Sequence, residues 1–109
     1  MSNRTLTIDD RLYEYLLAVS VDESDLLVQL REETQGIEWS VMQISPEQGQ
    51  FMSLLVRLLN VKRALEIGTY TGYSALCVAL AMPKGSRLVT CDRRPEWPRI
   101  GQPFWREAG

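Results

Sequence analysis

Residues 64–81, ALEIGTYTGYSALCVALA, change from a strand pattern to a helix pattern at a turn that contains two glycines. The run at 63–68 is typical of a short strand, residues 71–82 of a helix, and residues 87–92 of a second strand. Pro95 marks the start of a further helix. Strands separated by one helix with short connections pair in parallel through a right-handed crossover. This order of segments predicts an α/β fold.

The segment before the first strand is predicted to be helical. Asp9 and Asp10 precede an apolar stripe that indicates a first helix, and a second helix is expected over about 23–35, ending at Gly36. Residues 37–44 are expected to be extended.

A third helix has the clearest start signal. Ser45 is the predicted N-cap, Pro46 the first helical residue, and Gln48 the residue that would complete a capping box with Ser45. Apolar residues then recur at helical spacing, namely Phe51, Met52, Leu54, Leu55, Leu58 and Leu59.

Two strands are too few for a parallel sheet, which is normally covered on both faces and bordered by further strands. We therefore interpret these 109 residues as the N-terminal part, roughly half, of a larger α/β domain.

Composition excludes several kinds of function. The formal net charge is −2, without the basic stripe that nucleic acid or an anionic membrane would require. The chain has no histidine, which removes Ser-His-Asp and Cys-His catalysis, histidine-ligated zinc and a histidine general base.

Location is predicted from what the sequence lacks. No apolar stretch is long enough to span a membrane, and Met1-Ser2-Asn3-Arg4 leads into polar sequence without a signal-peptide core. Cys77 and Cys91 both lie in apolar surroundings and are expected to be small buried thiols in a reducing compartment. We therefore expect a cytoplasmic protein that binds neither membranes nor nucleic acid.

The glycine turn has the spacing Gly68-x-x-x-Gly72, which differs from the Gly-x-Gly-x-x-Gly pattern of dinucleotide-binding proteins. Tyr70 stands where the middle glycine of that pattern would leave room for a pyrophosphate. NAD and FAD are therefore disfavoured, and the absence of a Gly-x-x-x-x-Gly-Lys-Ser/Thr motif disfavours nucleoside triphosphates.

Two acidic residues suit a nucleoside without phosphates. Glu66, near the end of the first strand, offers a carboxylate to a cationic amine, and Asp92, after the second strand, can accept hydrogen bonds from ribose hydroxyls. Free N–H groups at the start of the following helix can face a ligand carboxylate. An amino acid at one end and adenosine at the other describe S-adenosylmethionine.

The sequence resembles the cation-dependent O-methyltransferases of the caffeoyl-CoA and catechol O-methyltransferase type. The main match is LEIGTYTGYS at 65–74, supported by SPEQGQ at 45–50, TCD at 90–92 and PFWREAG at 103–109, so the resemblance extends from about residue 10 to the end. It implies N-terminal helices followed by the first βαβα part of a Rossmann-like class I S-adenosylmethionine methyltransferase fold. Residues 1–60 would be the N-terminal helical segment, and residues 61–109 the first half of the cofactor-binding domain.

The resemblance also implies individual roles. Glu66, Gly68 and Thr69 would line the methionine part of the cofactor, with Tyr70 packing beside it and Ser74 placing a hydroxyl near the same carboxylate. Asp92 would bind the ribose. The residues expected to close over the reactive end of the cofactor are Met42 and Ile44.

For the complete family, the resemblance implies a small phenolic acceptor, a homodimer contacted through the N-terminal helices, and a divalent cation, usually magnesium. The cation ligands and general base would lie beyond residue 109. No catalytic or metal-binding residue is therefore assigned, and we expect the 109-residue chain alone to be inactive.

Structural interpretations remain open beside these roles. Glu66 could form an ion pair, Asp92 could cap the helix at Pro95, and Ser74 could bond a carbonyl of its own helix. Met42 and Ile44 could be ordinary core residues. The three tryptophans, Trp39, Trp97 and Trp105, are expected to be packing anchors, and Arg93-Arg94 depart from the family pattern near the expected adenine site.

Two other functions also remain open. The chain could be a non-catalytic remnant that dimerises or binds a partner. The second, a nicotinamide-dependent oxidoreductase, is disfavoured by Tyr70.

Overall fold

The computed structural model describes residues 7–109, so Met1–Arg4 lie outside the described residues. In that part of the chain, five α-helices and two β-strands follow one another: α1 (Asp10–Ser20), α2 (Asp25–Gln35), α3 (Pro46–Leu58), β1 (Arg63–Ile67), α4 (Tyr73–Ala81), β2 (Arg87–Cys91) and α5 (Pro98–Ala108). None of the helices described over residues 7–109 is long and apolar enough to cross a bilayer.

The two strands pair in parallel, in a register that places Arg63 opposite Arg87 and Ile67 opposite Cys91. Helix α4 makes the crossover between them. The predicted α/β fold is therefore confirmed, and it brings the carboxyl ends of both strands to the same edge of the sheet. Glu66 and Asp92 are therefore both placed at that edge.

Helix α4 is the centre of the core. It is apolar around most of its circumference, as expected for a helix with partners on several sides. One part of the core joins α2 to α4 and comprises Leu27, Leu30, Tyr73, Leu76 and Cys77. The other joins α3 to α4 through Val56, Val78 and Ala81, with Ala64 and Leu88 of the sheet packed against it.

The opposite face of the sheet is open. Leu65 is 69% exposed and Ile67 78% exposed, although both are apolar strand residues. Cys91 shares this face because side chains alternate along a strand, and it is exposed. The expectation that both cysteines are buried is therefore wrong for Cys91 and correct for Cys77, whose burial raises the pKa of its thiol to about 12.

The helix starts use the predicted residues, with one difference. The Asp9 carboxylate accepts a hydrogen bond from the Leu12 N–H at 2.8 Å. Ser45 is the N-cap of α3 and Pro46 its first residue, but the Ser45 side chain makes no capping hydrogen bond, so the capping box with Gln48 is absent. The helix starts instead on the fixed φ of Pro46 and the charge of Glu47 in its first turn.

Two other expectations are corrected. Residues 37–44 are not extended, because they contain a short 3₁₀ helix (Ser40–Met42), and the Gln43 side-chain amide donates to the Arg31 carbonyl. The last helix begins at Pro98 rather than Pro95. Asp92 accepts a hydrogen bond from the Arg94 N–H and so fixes the start of the loop between β2 and α5.

The tryptophans differ in burial. Trp105 packs against the core as expected. Trp39 is 55% exposed and is therefore no packing anchor.

Candidate functional site

The glycine turn between β1 and α4 has an unusual backbone. Gly68, Tyr70 and Gly72 all have positive φ, at 97°, 48° and 86°. Glycine adopts such angles without penalty, whereas a bulky residue such as tyrosine does so only when its surroundings hold it there. The turn is fixed to the sheet because the Gly68 N–H donates to the Cys91 carbonyl at 2.8 Å.

Asp92 binds the turn from the end of β2. Its Oδ2 atom accepts hydrogen bonds from the Thr69 N–H at 3.0 Å and the Tyr70 N–H at 2.8 Å. Its Oδ1 atom accepts from the Arg94 N–H at 3.0 Å. The backbone donors of Arg94 and Tyr70 hold the pKa of the Asp92 carboxyl below its ordinary value, so the group stays ionised.

These bonds bear on two expectations from the sequence. Asp92 uses the Thr69 and Tyr70 N–H groups of the turn, whereas the expectation of a ligand carboxylate at the N–H groups that begin the following helix stays a prediction. Asp92 does not cap a helix at Pro95. A carboxylate accepts about four hydrogen bonds, so Asp92 retains capacity for a ligand hydroxyl.

Glu66 is held by hydroxyl groups from both neighbouring elements. Its Oε2 atom accepts from the Ser74 hydroxyl at 2.7 Å, and its Oε1 atom accepts from the Thr90 hydroxyl at 2.8 Å. The Thr90 and Thr69 hydroxyl oxygens are 2.6 Å apart. No basic side chain is involved in these contacts, and Ser74 bonds Glu66 rather than a carbonyl of its own helix.

A cavity of about 100 Å³ lies beside the turn. Residues on its wall that the sequence singled out are Met42, Ile44, Gly68, Thr69, Tyr70 and Ser74. The other two, Glu66 and Asp92, reach the same place through their hydrogen bonds to Ser74, Thr69 and Tyr70. The structure therefore brings all the predicted residues to one site, and their role in binding stays a prediction.

Sequence reasoning missed Thr90 and Gln43. Thr90 bonds Glu66, and Gln43 lines the cavity. Thr90 could have been found, because it faces Glu66 across a parallel pair. Gln43 lies between Met42 and Ile44, which the resemblance placed at the site, so its position could also have been found.

Tyr70 is fixed by two further contacts. Its hydroxyl donates to the Glu38 carbonyl at 2.8 Å, and its ring meets Trp97 edge-to-face with centroids 5.1 Å apart. The Arg94 guanidinium lies 4.8 Å from the centre of the Trp97 ring. Burial, and then the charge of Glu38, raises the pKa of the Tyr70 hydroxyl, which therefore stays a donor.

A larger cavity, of about 450 Å³, lies between α4, β2 and α5. Its wall is mostly apolar and contains none of the residues predicted to bind a ligand. We favour the smaller cavity because two carboxylates converge beside it.

Over residues 7–109, no three His, Cys, Asp or Glu side chains are placed so that they could hold a metal ion. Among these residues we therefore assign no ligand to a divalent cation.

Comparison with known proteins identifies the family. A family model described as O-methyltransferase matches residues 17–109. The caffeoyl-CoA O-methyltransferase of Medicago sativa is 39% identical over 111 residues, which cover 100% of this chain and 45% of that protein. Mouse catechol O-methyltransferase domain-containing protein 1 is 42% identical over 100 residues, covering 92% of this chain and 38% of that protein.

Solved structures agree in fold. The O-methyltransferase TomG from Streptomyces achromogenes, solved in complex with SAM, superimposes with a TM-score of 0.80 at 31% identity, covering 88% of this chain and 43% of that chain. The SAH-bound methyltransferase PaMTH1 from Podospora anserina gives a TM-score of 0.84 at 26% identity, covering 97% and 48%.

The chain spans under half the length of these relatives. The match of the family model to residues 17–109 nevertheless covers most of the sequence, including all the predicted site residues. The resemblance and the Rossmann-like methyltransferase fold predicted from the sequence are confirmed: this chain belongs to the O-methyltransferase family.

Proposed function

We propose that this chain is the S-adenosylmethionine-binding portion of an O-methyltransferase that methylates a hydroxyl of a small phenolic, catechol-type acceptor. The observation that carries the proposal is the convergence of Glu66 and Asp92 on the glycine turn, from neighbouring parallel strands. Family membership supports it, and so does the SAM or SAH bound in the similar structures.

The chemistry of S-adenosylmethionine fits these groups. Its amine is cationic and suits the Glu66 carboxylate. In the contacts described above, Glu66 accepts hydrogen bonds from the Ser74 and Thr90 hydroxyl groups and has no basic partner. Its ribose hydroxyls suit the ionised Asp92 carboxylate. Met42 and Ile44 supply apolar surface on the wall of the same cavity, where a sulfonium methyl group would be shielded from water.

In this proposal, the described residues position the donor. Methyl transfer from a sulfonium is an in-line displacement, so its rate depends on holding the methyl group and the acceptor oxygen in line. Glu66 and Asp92 would fix the two ends of the donor. Activation of the acceptor oxygen is not assigned to any residue of this chain.

Other parts of the proposal depend on the family. Exposed apolar side chains on α1, including Leu12, Tyr15 and Val19, support dimerisation through the N-terminal helices. A cytoplasmic location stays a prediction.

Titration calorimetry of the 109-residue chain tests the cofactor. We expect saturable binding of S-adenosylmethionine and S-adenosylhomocysteine with a dissociation constant on the order of 10 μM, about −7 kcal/mol, and no heat with NAD. We expect no binding of NAD because Tyr70 stands at the position where the dinucleotide pattern has the glycine that leaves room for a pyrophosphate. Heat with NAD alone would support an oxidoreductase, and heat with neither ligand would support a non-catalytic remnant.

A further inference from the structure

We propose that the segment 23–38, which contains α2, is a positioning element for the cofactor-binding turn. It reaches the turn from the side of the protein core through three hydrogen bonds, to Tyr70, Thr71 and Tyr73. We call these three bonds the α2 clamp. Their effect on ligand binding rests on the proposed function, whereas their effect on the turn does not.

The central bond of the clamp joins two fully buried threonines. The hydroxyl oxygens of Thr34 and Thr71 are 2.7 Å apart, and both residues have 0% exposure. The Thr34 hydroxyl donates to the Leu30 carbonyl at 2.8 Å, which uses its only hydrogen. Thr71 is therefore the donor in the pair, and Thr34 is its acceptor.

A second bond holds the residue at the start of α4. The Tyr73 hydroxyl donates to Oε2 of Glu23 at 2.6 Å, and Tyr73 is 2% exposed. Glu23 is itself fixed by Arg31, whose Nε and Nη2 atoms lie 3.0 Å and 2.9 Å from its two oxygens. Burial and the Glu23 hydrogen bond raise the pKa of Tyr73, so it remains a donor over the physiological pH range.

The third bond acts where the backbone is strained. Tyr70 has a positive φ of 48°, and its hydroxyl donates to the Glu38 carbonyl at 2.8 Å. A strained residue persists when several contacts hold it. The Tyr70 N–H donates to Asp92, and the Tyr70 hydroxyl donates to Glu38 of the α2 clamp, so both ends of the residue are held.

The clamp and the cavity share three residues. Tyr70, Thr71 and Tyr73, whose hydroxyl groups are bonded to segment 23–38, also line the cavity, beside Gly68 and Thr69. Segment 23–38 contributes no residue to the wall of that cavity. Its effect on binding would therefore be indirect, by keeping the turn in the binding conformation before the ligand arrives.

The test compares Thr34→Val with Ser53→Ala. Valine keeps the shape of threonine but cannot accept the Thr71 hydrogen bond. Ser53 provides the matched control because its hydroxyl bonds the carbonyls of Gly49 and Cys77, joining α3 to α4 without touching the turn. Tyr73→Phe removes a second clamp bond while retaining the ring, and Thr34→Ser restores the acceptor.

Hydrogen exchange of the amides of residues 68–72 is measured first, without ligand. We expect Thr34→Val and Tyr73→Phe to speed this exchange roughly tenfold more than Ser53→Ala does, and Thr34→Ser to return it close to the parent rate. Equal exchange in Thr34→Val and Ser53→Ala, or no return in Thr34→Ser, would overturn the inference.

Calorimetry with S-adenosylhomocysteine is the second measurement. We expect Thr34→Val to weaken binding roughly tenfold, with Ser53→Ala and Thr34→Ser close to the parent protein. A parent chain that binds no S-adenosylhomocysteine would refute the proposed function, while the exchange rates would still decide whether the clamp orders the turn. Faster exchange with unchanged affinity would overturn the positioning role.

Discussion

Replacing Gly101 with alanine is expected to destabilise the fold by about 3 kcal/mol, at the upper end of overpacking effects. Gly101 is buried in α5, and a Cβ atom there would overlap the Thr71 carbonyl oxygen and lie 3.1 Å from the Trp105 ring. The overlapping atom belongs to the backbone, so no side-chain rotation can relieve the clash. Helix α5 would move away from the turn. The two are normally joined by a hydrogen bond that the Trp105 indole N–H donates to the Gly72 carbonyl.

Thermal and urea unfolding, followed by circular dichroism, measure this effect. A loss of about 3 kcal/mol corresponds to a fall in Tm of roughly 10 °C or more for a domain of this size. Gly36→Ala is the matched control, because Gly36 has a φ of −83° and its Cβ would make an ordinary 3.6 Å contact. Equal Tm values for the two variants would show that α5 does not rest on the glycine turn.

Replacing Asp92 with asparagine is expected to weaken S-adenosylhomocysteine binding roughly 30-fold, or about 2 kcal/mol. The substitution removes the negative charge that accepts hydrogen bonds from the Thr69, Tyr70 and Arg94 N–H groups. It also replaces one carboxylate oxygen by an NH₂ group, which cannot accept a hydrogen bond from the N–H group that it faces. The turn and the proposed ribose contact are lost together. Asp10→Asn, an exposed change in the first turn of α1, is the control and should bind as the parent does.

The effect of Asp92→Asn on the stability of the fold is expected to depend on pH. The pKa of the Asp92 carboxyl is lowered in the folded state, first by the Arg94 and then by the Tyr70 N–H group. Its contribution to stability is therefore complete above the unfolded pKa of about 3.9 and is lost as the pH falls through the lower folded value. The stability difference between parent and Asp92→Asn should be constant near neutral pH and shrink below about pH 4. A difference that grows on acidification would contradict this account.

Local patterns predicted most of the fold. The strand, turn, helix and strand segments around Gly68 and Gly72 lie where the spacing placed them, because parallel pairing with a crossover helix leaves few alternatives. The errors occur where local rules compete with tertiary contacts. Residues 37–44 form a 3₁₀ helix, α5 starts three residues after Pro95, and Cys91 points to the open face of the sheet.

The candidate site was partly predictable for the same reason. Glu66 and Asp92 were found because the ends of parallel strands meet at one edge of the sheet. Their partners were not identified. Thr90 was overlooked although parallel pairing sets it opposite Glu66, whereas the N–H groups of the turn come close to Asp92 only in the folded chain. The α2 clamp was equally hidden, since no periodic pattern connects Thr34 with Thr71.

We propose above that S-adenosylmethionine binds at the glycine turn, between Glu66 and Asp92. A titration of the ¹⁵N-labelled 12.5 kDa chain with S-adenosylhomocysteine, followed by two-dimensional NMR, tests it most directly. We expect saturable shifts of the amide resonances of Gly68, Thr69, Tyr70 and Asp92, and of Met42 and Ile44, which line the same cavity. The amide resonances of α1 should not shift. Shifts confined to the larger cavity between α4, β2 and α5, or no shifts at saturating ligand, would contradict the claim.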